Sequence, residues 1–396
     1  IGMILDKTFP PDPRVENEAM ALIKSGHKVF LFCLKYDDKD GNEIVNGIQV
    51  KRYLSNKLEY KLSALAYTFS FYTNLMAKKI AHFLSENKIE AIHIHDMRIA
   101  DAVFKANKKY DLPTVLDLHD NMPEVMKEYP HLQKFPGKNL ISPQKWKIKE
   151  EEFIAKVDKV ITVSHEFIEE VIDRTGIKQE KIILVPNTVQ RSFYSNVVID
   201  EDITEKYWKS FTILYLGDTA LRRGLLTAID AIDILRKKIN HIKLVIVGKS
   251  STDDVLKEHV RGLGLENFVD FEGWQDISLF PTYISASDVC ISPLYRNPQH
   301  DVAYANKLFQ YMSFAKPVLV SDALAQEKLV EKTKSGLIHK EKVTEDFAEK
   351  IMTLYKDPDL REELGENGLR FIEEEFVWEK VSQGLIDIYD KLETSK

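Results

Sequence analysis

Short apolar runs alternate with amphipathic stretches along the whole chain. In the first half the runs are Ile1–Leu5, Val29–Leu34, Ile48–Tyr53, Ala91–His95, Thr114–Leu118, Lys159–Val163 and Lys181–Val185. In the second they are Phe211–Leu216, Ile242–Val247, Phe268–Phe271, Asp288–Ile291, Pro317–Val320 and Gly336–Ile338. Several are continuously apolar, as strands covered on both faces are. The segments between them carry helical spacing: Leu225, Ile229, Ile232 and Leu235 share one stripe of Leu225–Lys237. This alternation predicts an α/β chain with parallel, doubly wound sheets, and so many strands exceed what one such sheet holds. Two successive Rossmann-like domains are therefore expected, with a ligand cleft at the carboxyl ends of both sheets. The polar, aperiodic stretch from Asn187 to Ser210 marks the expected break. The boundaries read as 1–190, 191–375 and a terminal helix in 376–396 that packs back on the first domain.

Composition narrows the class. With 396 residues, 44% hydrophobic and only 16 Gly and 14 Pro, the chain has core enough for two domains without staples. Cys33 and Cys290 both sit in apolar runs and read as buried free thiols in a reducing compartment. Residues 1–190 carry 28 Lys and Arg against 27 Asp and Glu, leaving 27 against 35 for residues 191–396. An acidic chain without a dense basic stripe argues against a nucleic-acid partner. No signal peptide is visible, and the chain opens inside a strand, which predicts native residues before Ile1. No run reaches the ~20 apolar residues of a membrane span. The expected location is cytoplasmic, with peripheral attachment to the inner face of the membrane left open. The segment 58–84 keeps that alternative alive. It reads as one helix apolar around most of its circumference, flanked by Lys57, Lys61, Lys78 and Lys79, so it is either buried, dimer-facing or laid on a membrane surface.

Candidate chemistry clusters at strand ends. Asp12 and Pro13 suit a helix start, and Arg14 follows them as a candidate anion contact. His95-Asp96 closes the fourth run and His119-Asp120 the fifth, placing imidazoles where they can bond or move a proton. In the second half, Gly217-Asp218-Thr219-Ala220-Leu221-Arg222-Arg223-Gly224 joins a strand to an amphipathic helix. It sets two guanidiniums before a helix start, a pairing suited to phosphate. Asn306, Lys307 and Gln310 share one face of a later helix, and a lysine in a first turn opposes the helix dipole unless an anion is near. Asp357-Pro358-Asp359 reads as a helix cap, not a metal site. There is no GxGxxG, no GxxxxGK[ST], no GxSxG and no cluster with metal-ligand spacing, so metal and cofactor are both expected to be none.

The ordered set Asp12-Pro13-Arg14-Val15, His95-Asp96, His119-Asp120…Pro123-Glu124, Val163-Ser164, Val185-Pro186-Asn187, Gly217…Arg223-Gly224, Gly273-Trp274 and Asn306-Lys307-Leu308-Phe309-Gln310-Tyr311-Met312 resembles the family 4 (group 1) retaining glycosyltransferases of the GT-B type. The resemblance covers essentially the whole chain. It implies a hexosyltransferase-type enzyme that moves a sugar from a nucleotide-diphosphate donor to a glycan, lipid-linked or small-molecule hydroxyl, without metal, in surface-polysaccharide assembly. It also implies that Gly217, Arg222, Arg223, Asn306 and Lys307 serve the donor diphosphate and sugar, that Gly273 and Trp274 pass the base, and that Gln310 meets the ribose. On the acceptor side it implies Arg14, His95, Asp96 and His119. His119, Asp301, Arg223 and Lys307 are the expected catalytic set. Two departures stand out: Gln310 replaces the family's second glutamate and Val302 its first, with Asp301 beside it as a substitute. They motivate a second reading, a catalytically impaired nucleotide-sugar-binding subunit of a transferase complex. A homo-oligomer is compatible with either.

Overall fold

The structure, a computed structural model, describes residues 1–396 except 38–40, 130–131, 136 and 395–396. The chain forms two compact units, residues 1–186 with 381–396, and residues 187–380.

The first unit is built on eight strands: β1 Gly2–Ile4, β2 Phe30–Lys35, β3 Asn42–Val45, β4 Ile48–Leu54, β5 Ile92–His95, β6 Thr114–Asp117, β7 Lys159–Thr162 and β8 Ile182–Leu184. They lie in the order β3-β4-β2-β1-β5-β6-β7-β8, parallel throughout except for the β3–β4 hairpin. β1, β5 and β6 are wholly buried, which is why their sequences carry no polar alternation. Helix α1 (Pro13–Lys24) follows β1; the Asp12 carboxylate accepts the Val15 amide at 3.2 Å and Pro13 opens the first turn. Its inner face sets Arg14 and Glu18 beside β5 and β6. The terminal helix, Gln383–Thr394, belongs to this unit although it is last in sequence, and it buries Leu385, Ile388 and Tyr389.

The second unit has six parallel strands: β9 Phe211–Leu216, β10 Ile242–Val247, β11 Val269–Gly273, β12 Val289–Ser292, β13 Val318–Ser321 and β14 Gly336–His339, in the order β11-β10-β9-β12-β13-β14. β9 is central and fully buried. The helix Leu225–Leu235 packs Leu225, Ile229, Ile232 and Leu235 into the core with Ile213, Tyr215 and Leu244. Asp357 caps the helix Pro358–Phe371 by accepting the Leu360 amide at 2.9 Å.

Two expectations need correction. The segment 58–84 is not one helix but two, α2 (Lys57–Ser63) and α3 (Phe71–Glu86). Asn56 caps the first through the Leu58 and Glu59 amides, and the second is one-sided, burying Tyr72, Met76, Ile80 and Phe83 at near-helical spacing. The described residues also hold a fourteenth strand: β3 is an exposed edge paired with β4 through Asn46-Gly47, both in the left-handed region at φ 50° and 86°.

Candidate functional site

In the first unit the register of β5 against β6 pairs His95 with Asp117, and α1 adds Arg14 and Glu18 from the side. Arg14 donates from Nε and Nη2 to the two Asp117 oxygens at 2.8 and 2.6 Å, and from Nη1 to the Val185 carbonyl at 2.9 Å. Its Nη2 also lies 3.0 Å from Glu18. Arg14, a candidate acceptor-side contact, is thus bound to partners within the fold. Glu18, His93, His95 and Asp117 bring four ligand-type atoms within 4.8 Å of one another, all buried. The Arg14 guanidinium lies against two of them, 2.6 Å from Asp117 and 3.0 Å from Glu18.

The imidazoles of this cluster differ in charge. His119 lies 2.7 Å from Asp117 and 3.5 Å from Asp96. Burial opposes its protonation, but the two carboxylates overcome that and raise it to about 9. His119 is thus an imidazolium at neutral pH, able to donate or to hold negative charge, not a general base. His95 is fully buried; burial first, then the neighbouring His93, lowers it to about 3, so it is neutral. Burial works against the Asp96 charge too, and His119, Lys7 and Arg98 overcome it and lower its pKa. Asp96 holds His119 in place from a backbone at φ 67°. Four members escaped sequence reasoning: Glu18, His93, Asp117 and Tyr389, whose hydroxyl meets His93 Nδ1 at 2.8 Å.

In the second unit, β9 ends at Leu216 and the chain turns through Gly217 at φ 113°. Asp218 holds both arginines of the loop, Arg222 at 3.1 Å and Arg223 at 3.2 Å. Gly224, at φ 79°, starts the helix Leu225–Leu235 where a β-carbon would stand 1.7 Å from the Pro293 carbonyl oxygen; only glycine fits. Facing this loop is the helix Asn306–Met312, which buries Leu308, Phe309, Tyr311 and Met312. The Tyr311 hydroxyl accepts the Leu216 amide at 2.8 Å and so ties that helix to the end of β9. Lys307 is set by this anchor. Its Nζ lies 3.4 Å from the centroid of the Tyr215 ring and is buried with no hydrogen-bond partner among the described residues. A β-carbon on Gly217 would stand only 3.5 Å from that nitrogen. Burial, reinforced by the charge of Arg223, pushes the Lys307 ammonium well below its ordinary range. A buried ammonium without a partner is costly, and an anion at that point would relieve the cost.

The remaining expected residues are scattered around this centre. Gly273 closes β11 at φ 67° and its carbonyl accepts the Gly248 amide at 2.7 Å. Trp274 beside it is 72% exposed. Gln310 is half-buried and Asn306 exposed on the same helix as Lys307. Asp301 accepts the Leu324 amide at 3.0 Å and meets Arg296 at 3.2 Å, and Val302 is buried. The Asp301 carboxylate thus meets the first turn of the helix Leu324–Thr333.

Sequence comparison bears on this arrangement. Residues 14–193 match the family model described as glycosyltransferase family 4, and residues 199–371 the model described as glycosyl transferases group 1. The fold and the paired matches define a GT-B glycosyltransferase. The chain belongs to the group 1, family 4 glycosyltransferases. It is 24% identical over 242 residues to the capsular polysaccharide biosynthesis glycosyltransferase CapM of Staphylococcus aureus, covering 56% of this chain and 60% of CapM. The aligned stretch spans less than two thirds of such curated relatives, 59% in another case. Among solved structures, sucrose-phosphate synthase from Thermosynechococcus elongatus superposes with a TM-score of 0.80 at 18% identity, covering 100% of this chain and 99% of that one. Anabaena HepE bound to UDP-glucose superposes with a TM-score of 0.71 at 16% identity, covering 98% and 99%. At such identities these two structures speak for the fold alone.

Proposed function

We propose that the chain transfers a sugar, with retention, from a nucleotide-diphosphate donor to a hydroxyl acceptor in the assembly of a surface polysaccharide. The observation that carries this is Lys307, a buried ammonium with no hydrogen-bond partner among the described residues, beside Gly217 and Arg223. As the bond to the leaving diphosphate breaks, negative charge grows on phosphate; Lys307, Arg223 and Arg222 supply the countercharge without a metal. The protonated His119 serves the acceptor side by holding charge or donating a bond. The solved structure of HepE with UDP-glucose supports a nucleotide-sugar donor, and the polysaccharide role in CapM's name supports the setting. No described helix is long and apolar enough to cross a membrane, and contact through residues 58–84 is proposed to be peripheral.

Replacing Lys307 or Arg223 with alanine is expected to cut turnover about 10²–10³-fold, the loss seen when a preorganised donor to a developing anion is removed. Product formation from UDP- and GDP-sugars, followed by chromatography, measures this; wild-type rates from both variants would remove the pair from the mechanism. A second reading has its own observation. Asp218 neutralises both loop arginines, and the positions of the family's two glutamates hold Gln310 and buried Val302. That combination fits a subunit that binds a nucleotide sugar without turning it over. Nucleotide-dependent thermal stabilisation without hydrolysis or transfer would favour it.

A further inference from the structure

A phosphate seat needs cations, yet the loop from Gly217 to Gly224 carries a carboxylate at its second position. Asp218 is built into the turn. Its Oδ1 accepts the Ala220 amide at 3.1 Å, and its backbone carbonyl accepts the Tyr215 hydroxyl at 2.5 Å. That leaves Oδ2, which takes both guanidiniums: Arg222 Nη2 donates to it at 3.1 Å and Arg223 Nε at 3.2 Å. Neither arginine makes another ion pair among the described residues. All three side chains stay within reach of solvent, at 44% exposure for Arg222, 27% for Arg223 and 36% for Asp218. Ion pairs so placed are weak, so a stronger anion can take the arginines.

Two neighbouring features favour such an anion. The Lys307 Nζ, buried beside Gly217, has no hydrogen-bond partner among the described residues. The helix Leu225–Leu235 starts at Gly224 without a side-chain cap, so no side chain of the cap residue meets its first amides. Asp218 Oδ2 serves the two arginines and leaves these other donors unmet. A diphosphate carries oxygens enough for all of them, in the shorter and stronger bonds that ionised partners make. It also meets repulsion from the Asp218 charge. The carboxylate that holds the arginines in place thus lowers the affinity of any anion that takes them.

We propose that Asp218 is an internal stand-in for phosphate: it holds Arg222 and Arg223 through Oδ2, and a diphosphate binds by drawing both guanidiniums from it toward Lys307. The exchange favours anions with oxygens for all three cations over those with a single acceptor. Calling that anion the diphosphate of the donor rests on the transferase reading above; the exchange itself does not. Calorimetric titration of the full chain with pyrophosphate, UDP, GDP and uridine tests it. Asp218→Asn keeps an oxygen for the Ala220 amide and removes the charge, so pyrophosphate and the nucleotide that wild type binds should each bind about tenfold more tightly. Uridine, which has no phosphate, should gain nothing. The gain should shrink as salt rises, since its source is charge. Asp218→Glu restores the charge and should bind pyrophosphate within about twofold of wild type. Asp218→Ala also removes the charge and keeps the test open should Asp218→Asn fail to fold. Weaker or unchanged pyrophosphate binding in Asp218→Asn, a gain for uridine, or an equal gain in Asp218→Glu would overturn the proposal. UDP or GDP held equally by wild type and Asp218→Asn would overturn it alone, whereas no binding of either nucleotide or of pyrophosphate to any of these chains would overturn the transferase reading with it.

Discussion

His119 shows how far a few ångströms can move a proton. An exposed histidine is neutral above about pH 6.5, but two carboxylates hold this one charged up to about 9. A group whose pKa is raised on folding stabilises the fold fully below its unfolded value and loses that contribution as pH climbs through the folded one. His119→Gln should therefore cost most stability below pH 6.5, and the gap to wild type should close as pH rises through 9. Denaturant midpoints across that range measure the gap; one that widens with pH would show His119 to be neutral in the fold. The contrast with His95, one bond network away and lowered to about 3, is set by burial and a second imidazole instead of carboxylates. None of this was legible in the sequence. His119-Asp120 invited a pairing of neighbours, whereas the partners are Asp117 and Asp96, placed by strand register.

Among the elements, strands were the most readable because both sheets are covered on both faces, so their residues form unbroken apolar runs. Phe211–Leu216 and Ile242–Val247 coincide with β9 and β10 residue for residue. β3 lacked that signal, since Asn42, Glu43 and Ile44 all face solvent; only its Asn46-Gly47 turn marked it. The helix Asn306–Met312 was readable through its polar face, Asn306, Lys307 and Gln310, but not through the residue that positions it. Tyr311 does so by accepting the Leu216 amide at the end of β9. Tyr311→Phe should strand that buried amide and lower stability by about 1–3 kcal/mol. Because Lys307 rides on the same helix, transfer should also slow, though less than in Lys307→Ala. A urea series with parallel rate measurements checks both, and unchanged stability would mean that the amide finds another acceptor.

At the scale of the molecule, the first unit is closed by residues nearly two hundred positions away from the rest of it in sequence. Leu385, Ile388 and Tyr389 are at most 2% exposed, and Tyr389 reaches His93 in the buried charge cluster. Burying each such side chain is worth about 1.5–3 kcal/mol, so three approach the ~5–15 kcal/mol by which a domain is stable at all. A chain ending at Lys380 should keep the second unit, which is continuous from 187 to 380, and lose order in the first. Hydrogen exchange separates the outcomes by location. The amides of β5 and β6 should exchange far faster in the shortened chain, while those of β9 and β10 stay protected. Transfer should fall with the first unit, since His119 stands at the edge of β6, yet nucleotide should still stabilise the second unit through Lys307. Protection of β5 equal in both chains would show that the first unit is complete without its terminal helix, and the bond from Tyr389 to His93 would then be incidental to its stability.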